Sequence, residues 1–267
     1  MRLRIVHSTV YRYDPPAAGA IQVLRLTPRN HDGQYVVRWR IDVFPDARLA
    51  AHEDAFGNMT HVFTVDGPLD ELRVEVDGEV ETQNTDGVVR GTVERFPPSL
   101  FLRDTELTRA DAAICQFAES IRAAGRGEIL VELHALLDQL HAGWALEPDP
   151  RHAAPNASKA FERKSGTPTD LAHIFIGAAH SLGIPARFVG GYFRQEGTGV
   201  AQSGHGWAEA YVPDLGWVSF DPANGFCPTD AHVRVAVGLD ALGAAPLRGT
   251  RYGVGAEALE IAVKVGQ

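Results

Sequence analysis

The hydrophobic pattern of this chain changes period twice, and this change limits the folds that the chain can adopt. Up to about residue 80 apolar and polar side chains alternate, as in Leu72-Val74-Val76, which is the two-residue repeat of a half-buried strand. Between about 108 and 182 the apolar residues recur at three- and four-residue intervals, as in amphipathic helices. Strand-like segments return after Pro185. This order predicts an antiparallel β domain followed by an α+β domain in which helices precede antiparallel strands.

Five segments of the first part are predicted as strands, with turn-forming residues between them: Arg2–Tyr13, Ile21–Leu26, Tyr35–Phe44, Thr60–Val65 and Leu72–Val80. The breaks at Asp14-Pro15-Pro16 and Asp66-Gly67-Pro68 contain the Pro and Gly that favour turns. We expect a β-sandwich-like amino-terminal domain over residues 1–88. An Asn-, Thr- and Gly-rich segment before Pro97 marks the boundary, so residues 89–267 are assigned to the α+β domain, including a C-terminal strand.

The helix predicted over about Pro168–Leu182 has the clearest pattern in the chain. Its apolar side chains share one face: Leu171, Ile174, Phe175, Ala178, Ala179 and Leu182. Thr167 is predicted to cap this helix, with Pro168 at the first helical position and Asp170 at the third. Gly183 is predicted to end it. Further helices are predicted over Thr108–Ala124, Ile129–Leu140 and Ala157–Arg163.

Composition argues against several classes of protein. The formal charge of −9 is unsuited to a general nucleic-acid binder, which neutralises phosphates with Lys and Arg. No apolar stretch reaches the roughly 18–20 residues of a membrane-spanning helix, and the amino terminus lacks the apolar region of a signal peptide. Two cysteines, Cys115 and Cys227, are too few for a disulfide framework or a structural zinc site. We therefore expect a soluble cytoplasmic protein with no cofactor, no nucleic-acid partner and no membrane partner.

The segment from His205 to Asp221 carries the strongest indication of chemistry. Two predicted strands flank the turn sequence Pro-Asp-Leu-Gly and form a hairpin. His205 begins the first strand and Asp221 ends the second, so both lie at the same end of the hairpin, and an odd number of connecting residues would put them on one face. An imidazole oriented by a carboxylate is two-thirds of a nucleophilic triad. The same pair also occurs as a purely structural contact.

Several motifs resemble the bacterial transglutaminase-like superfamily. They are His-x-Trp-x-Glu-x-Tyr from His205, Pro-x-Leu-Gly-Trp from Pro213, Asp-Pro-x-Asn-Gly from Asp221, Asp-Leu-Ala-His from Asp170, Ser-Leu-Gly-Ile-Pro-Ala-Arg from Ser181, His-Val-Arg-Val from His232 and, in the amino-terminal half, Leu24-Arg-Leu-Thr-Pro and Asp54-Ala-Phe-Gly-Asn. The resemblance implies a papain-like Cys–His–Asp fold, with a central helix on an antiparallel sheet, and peptide amide carbonyls as the ancestral substrate. It makes His205 and Asp221 the retained catalytic pair. The residues then expected to line the cleft are Trp207, Asp170 and Asn224.

The chain departs from this family at the nucleophile. The family carries it in a Gly-x-Cys-x-Asp segment at the start of the central helix, whereas this chain reads Gly166-Thr-Pro-Thr-Asp170, with Pro168 in place of Cys. A thiol at a helix amino terminus has its pKa lowered by the helix dipole, but proline has no nucleophilic atom. We therefore expect a catalytically inactive transglutaminase-like module that binds a peptide or protein segment in the ancestral cleft.

An active amide hydrolase or acyltransferase is the alternative hypothesis. Its nucleophile would be the hydroxyl of Thr169, activated by His205, or the thiol of Cys227, which follows Asp221 by six positions. A metal-bound water is a further alternative. The ligands in that case would be Asp170, His173, His205 and Asp221.

Overall fold

The structure is a computed structural model that describes residues 1–125, 127–147, 153–195 and 204–267. The strands are β1 (Arg2–Thr27), β2 (Gln34–Phe44), β3 (Ala50–Glu53), β4 (Met59–Thr82), β5 (Val88–Val89), β6 (Ala145–Leu146), β7 (Ser165–Gly166), β8 (Ala186–Phe193), β9 (His205–Val212), β10 (Gly216–Phe220), β11 (His232–Gly238), β12 (Leu247–Tyr252) and β13 (Ala256–Gly266). The α-helices are α1 (Ala112–Gly125), α2 (Ile129–Gly143), α3 (Ala157–Arg163) and α4 (Pro168–Ser181).

The amino-terminal half forms an antiparallel sheet built on two long strands. The sheet has the order β12-β1-β4-β2, with β13 also paired to β1 and β3 paired to β4. β1 and β4 pair from Arg2 opposite Glu81 to Thr27 opposite Met59. Buried side chains from both halves of these strands join one apolar cluster that includes Leu24, Phe63, Leu72 and Val74. The predicted fold class, a sandwich-like antiparallel β domain followed by a core in which a central helix packs on an antiparallel sheet, is confirmed.

The predicted turns at Asp14-Pro15-Pro16 and Asp66-Gly67-Pro68 do not interrupt the strands. Both segments lie inside continuous strands, β1 and β4, and the register shifts between Arg12 and Ala17. Proline lacks an N–H donor and is tolerated in strands at such irregularities. Each break therefore alters the pairing of a long strand without ending it.

The C-terminal strands belong to the first sheet. β12 pairs with the second half of β1, with Gly19 opposite Tyr252, and β13 pairs with the first half, with Arg4 opposite Gly266. The sequence-based division assigns residues 89–267, C-terminal strand included, to the second domain, and β12 is not predicted. Alternating polarity reveals a strand but carries no information about its partner. The pairing of β12 and β13 with β1 is therefore a feature that only the structure reveals.

The second sheet supports the central helix. Its antiparallel order is β11-β8-β9-β10-β5, and α4 packs on β8 and β9 while α1, α2 and α3 pack around α4. The hydrophobic cluster of this region also contains Leu3, Ile5 and Val80 of the first sheet, so the two regions share a core. Within the described ranges, no helix combines the length and the apolar character that crossing a membrane requires.

The start of α1 differs from the prediction. The carboxylate of Asp111 accepts hydrogen bonds from the backbone N–H groups of Ala113 and Ile114, both at 3.0 Å, and α1 begins directly after it. The predicted start, Thr108, is fully buried and its hydroxyl bonds to Thr105. Asp is as good a cap as Thr, so the capping pattern alone does not separate the two positions.

Candidate functional site

The hairpin of β9 and β10 brings His205 and Asp221 together. The strands pair with Phe220 opposite Ala208, so the next position, Asp221, shares a sheet face with Trp207 and His205. Nε2 of His205 lies 2.6 Å from Oδ2 of Asp221. The pair that the hairpin register suggests is therefore in direct contact.

Asp221 is the centre of this arrangement because five donors surround its buried carboxylate. Oδ2 accepts from Nε2 of His205, Nε2 of His232 at 3.1 Å and Nδ2 of Asn224 at 2.7 Å. Oδ1 accepts from the backbone N–H groups of Ala223 and Asn224. Burial alone would raise the pKa of Asp221, but the charge of His205 and the hydrogen bonds of both imidazoles hold this pKa below its usual range. The carboxylate is therefore ionised at neutral pH.

His232, at the start of β11, is the member of the site that the sequence reasoning missed. Its Nδ1 accepts from the backbone N–H of Thr229 at 3.2 Å, so its proton is on Nε2, which faces Asp221. Burial lowers the pKa of His232, although its hydrogen bond to Asp221 acts in the opposite direction. β11 is separated from β9 by β8, and only this strand order brings His232 to Asp221. The His-Val-Arg-Val motif is the signal that could have marked it.

His205 is the exposed member of the group. Its side chain is 12% exposed, against 3% for His232 and 0% for Asp221. Because Nε2 donates to Asp221, the lone pair of a neutral His205 is on Nδ1, and this nitrogen can accept a proton. The rings of Phe193 and Trp207 lie 5.3 Å and 6.0 Å from the His205 ring. Trp207 is itself only 1% exposed, so it packs behind the imidazoles.

A cavity of about 240 Å³ lies between the first sheet and the core, and His205 is in its wall. We call it the His205 cavity. Thr169 also lines it, and its Oγ1 is 3.3 Å from the position that a Cβ on Gly206 would take. The hydroxyl therefore lies beside β9. Both residues belong to the described part of the chain, and no hydrogen bond joins the Thr169 hydroxyl to His205 there.

The amino terminus of α4 is closed by a complete capping box. The Thr167 hydroxyl accepts from the backbone N–H of Asp170, and the Asp170 carboxylate accepts from the backbone N–H of Thr167 at 2.9 Å. Pro168 occupies the first turn and is half-buried. The Asp170 carboxylate also accepts from the backbone N–H of Ala154. This placement gives Asp170 a structural role at the helix start, whereas Asn224, which the sequence predicts in the cleft, donates from Nδ2 to Asp221.

Cys227 is paired with a different histidine. Its Sγ lies 3.7 Å from Nε2 of His134, and Nδ1 of His134 donates to the carbonyl of Leu130 at 2.8 Å. Burial, reinforced by the charges of Asp86 and Asp138, raises the pKa of Cys227 to about 11. A thiol with this pKa stays protonated at neutral pH, and the thiolate is the nucleophile.

The structure does not assemble the metal-ligand set that the sequence suggests. Asp170 is occupied by the helix cap, and Nε2 of His173 accepts from the backbone N–H of Ala241 at 3.1 Å. A different set, His205, Asp221 and His232, has ligand atoms within 4.8 Å of one another.

The protonation of His232 opposes a metal at this second set. A neutral imidazole ligates through its unprotonated nitrogen, but the proton of His232 is on Nε2 because Nδ1 accepts from Thr229. If a metal were coordinated through Nε2, the proton of His232 would have to move to Nδ1. Nδ1 would then be a donor facing another donor, the backbone N–H of Thr229, and that hydrogen bond would be lost. The arrangement is that of a hydrogen-bonded carboxylate.

Three of the sequence motifs meet in a buried ion-pair network on the same sheet. Glu209 on β9 accepts from Nε of Arg187 on β8 and from Nε of Arg234 on β11, both at 2.7 Å. Two further nitrogens of Arg187 donate to Glu94, and its guanidinium lies 3.8 Å from the Trp217 ring. The network joins the three strands β8, β9 and β11 that carry the residues around Asp221. Its sequence signal is a Glu between Ala208 and Ala210, in a strand whose other residues after His205 are Gly or hydrophobic.

Asp221→Asn is expected to lower the free energy of unfolding by about 1–3 kcal/mol at pH 7, because a charged acceptor of buried donors is lost. The folded-state pKa of Asp221 is lowered, so its contribution is fully present above the unfolded value of about 3.9 and is lost as pH falls further. The difference between wild type and variant should therefore shrink below about pH 4. Urea unfolding at pH 7, 5 and 3.5 measures it, and a difference independent of pH would contradict the assignment.

Comparisons with known proteins agree with this architecture. Residues 3–81 match the model of the bacterial transglutaminase-like N-terminal region, and residues 116–222 match that of the transglutaminase-like superfamily. An uncharacterized protein of Mycobacterium leprae is 29% identical over 99% of this chain and 98% of its own length. The uncharacterized protein YebA of Bacillus subtilis is 34% identical over 25% of this chain and 10% of its own length.

A solved structure extends the likeness to the whole fold. It is the crystal structure of a provisionally assigned cysteine protease from Cytophaga hutchinsonii, which is 17% identical, has a TM-score of 0.74 and covers 100% of this chain and 90% of that chain. At this identity the likeness concerns the fold alone. Residues 3–81 are thus similar to the bacterial transglutaminase-like N-terminal region, and residues 116–222 are similar to the transglutaminase-like superfamily.

Proposed function

We propose that this protein binds a peptide or protein segment at the His205 cavity and forms no covalent intermediate with it. The observation that carries the proposal is Pro168 at the start of α4, one residue before Thr169 in the cavity wall. The family resemblance assigns the nucleophilic thiol to this position. A prolyl ring has no thiol or hydroxyl, so the retained His205–Asp221 pair has no nucleophile to activate there.

The two substitute nucleophiles lack the setting that a covalent step requires. A hydroxyl must be deprotonated by an adjacent base as it attacks, and the hydroxyl of Thr169 shares the cavity with His205 without bonding to it. The thiol of Cys227 faces His134, and its raised pKa keeps it protonated. These contacts favour binding over catalysis.

The geometry also supports a peptide as the ligand. His205 presents a polar ring at the cavity wall, and Nδ1 of this ring can accept a hydrogen bond from a peptide N–H. Asp221 and its donors fix the His205 ring in one orientation. Because the ring is already ordered in the free protein, ligand binding loses no free energy to ordering this side chain. A fixed imidazole that can accept a hydrogen bond is suited to binding a peptide amide group that is later released unchanged.

The test uses a fluorescent, terminally blocked peptide that contains Gln and Phe. We expect saturable binding by fluorescence anisotropy, weakened by His205→Ala, with no release of ammonia and no increase in the mass of the intact protein. Ammonia release or a covalent adduct that is abolished by Thr169→Val or Cys227→Ser, and is unaffected by Thr250→Val at an exposed position, would show an enzyme instead. Absence of any binding would reject the proposal outright.

A further inference from the structure

The His205 cavity is built from both halves of the protein. Thr9 of β1, Leu247 of β12 and Ile261 of β13 come from the first sheet, whereas Phe188 and Val235 come from the second. Aliphatic and aromatic side chains make up most of this wall. The cavity therefore exists only where β12 and β13 return to β1 and lie against the core.

Three polar side chains of the first-sheet wall, those of His7, Thr9 and Arg25, already have partners. Nδ1 of His7 lies 2.9 Å from the hydroxyl of Tyr192, and Nε2 of His7 lies 2.9 Å from the hydroxyl of Thr9. Burial lowers the pKa of His7 to about 4, so this ring is uncharged at neutral pH. Arg25, also in the wall, is paired with Asp54 at 3.0 Å. A ligand therefore finds these groups already satisfied.

Gly190 keeps part of the cavity open. A Cβ on Gly190 would lie 3.4 Å from the carbonyl oxygen of Ala244 and 3.8 Å from the ring of Phe188, which are ordinary contact distances, and its φ lies outside the positive range that disfavours side chains. Its neighbour Gly191 differs, because a Cβ there would lie 2.1 Å from the carbonyl oxygen of Val233. Gly191 is thus required by the backbone, whereas Gly190 can carry a side chain at the cost of cavity volume.

We propose that the His205 cavity is the binding site for a bulky apolar side chain of the bound segment, of the size of Phe or Leu. This inference rests on the proposed peptide-binding function and adds the class of side chain. An apolar cavity of about 150 Å³ holds a benzene molecule, so about 240 Å³ accommodates an aromatic or branched aliphatic side chain. The peptide backbone next to that side chain then lies at His205 and Thr169, the polar residues at the opposite part of the wall.

The main test compares terminally blocked, fluorescent pentapeptides that differ only in the central residue. Peptides with Phe or Leu are expected to bind about 10- to 100-fold more tightly than those with Asn or Glu, since burial of the side chain supplies the difference. Gly190→Val should weaken this preference, because its side chain occupies part of the cavity. Gly266→Val is the matched control, because a Cβ on Gly266 meets no atom within 4 Å among the described residues.

A second measurement keeps the inference separate from the proposed function. Toluene is expected to bind the wild-type protein, detected by saturation-transfer NMR, and to bind more weakly to Gly190→Val but not to Gly266→Val. If toluene does not bind, or if peptides bind without a preference for Phe or Leu, the proposal that the cavity binds an apolar side chain is rejected. Binding of toluene without binding of any peptide rejects the peptide-binding function, and with it the assignment of the cavity to a peptide side chain, while it shows that the cavity accepts an apolar ligand.

Discussion

Pro168→Cys is expected to create a thiol that reacts with iodoacetamide at pH 7 about 100-fold faster than Cys227 does. Thiols at helix amino termini have pKa values of about 3.5–7.5, whereas that of Cys227 is about 11. The new thiol would be largely ionised at pH 7, and Cys227 would be ionised in about one molecule in ten thousand. Lower intrinsic nucleophilicity of a less basic thiolate offsets roughly half of this advantage on a logarithmic scale, which leaves the expected factor.

The comparison requires each thiol to be measured alone. With Cys115 replaced by Ser, the Pro168→Cys/Cys227→Ser protein carries only the new thiol, and the parent with Pro168 carries only Cys227. His205→Ala in the first protein should slow alkylation at least about tenfold if the imidazole helps ionise the new thiol. A rate equal to that of Cys227 would mean that the helix start and His205 no longer form an activating site. A fast rate that is insensitive to His205→Ala would assign the effect to the helix terminus alone.

Local features of the site could be predicted because they depend on residues close in sequence. The capping box of Thr167 and Asp170 follows from a three-residue spacing, and the contact between His205 and Asp221 follows from the register of one hairpin. Each of these two contacts joins residues of one helix start or of one hairpin. The order of residue types along the chain is therefore enough to predict both contacts.

The remaining parts of the site depend on strand order, which the pattern does not contain. His232 reaches Asp221 only because β11 lies beside β8, and the His205 cavity exists only because β12 and β13 pair with β1. Glu209 finds two arginines from neighbouring strands for the same reason. Long-range pairing is decided by the total burial of the folded chain, so period and propensity do not reveal it.

Glu209→Ala is expected to lower the free energy of unfolding by about 3–5 kcal/mol, the largest stability effect among the changes considered. Glu209 is fully buried, and its removal leaves Arg187 without one of its two carboxylate partners and Arg234 without the carboxylate that its Nε and Nη2 contact. Burial alone would raise the pKa of Glu209, but Arg234 and Arg187 lower it to about 2. The carboxylate is therefore ionised at neutral pH, where the loss should be measured by urea unfolding.

Two further variants separate the lost charge from the lost side-chain volume. Glu79→Ala removes a half-buried carboxylate that pairs with the exposed Arg2 and Arg38, and its effect should be far smaller because solvent screens such pairs. Glu209→Leu combined with Arg234→Met removes one pair and refills the space, and it should recover part of the stability lost in Glu209→Ala. If Glu209→Ala changed stability by no more than Glu79→Ala, the network would not hold β8, β9 and β11 together. The orientation of His205 and His232 around Asp221 would then have to come from the hairpin and the loop after Asp221 alone.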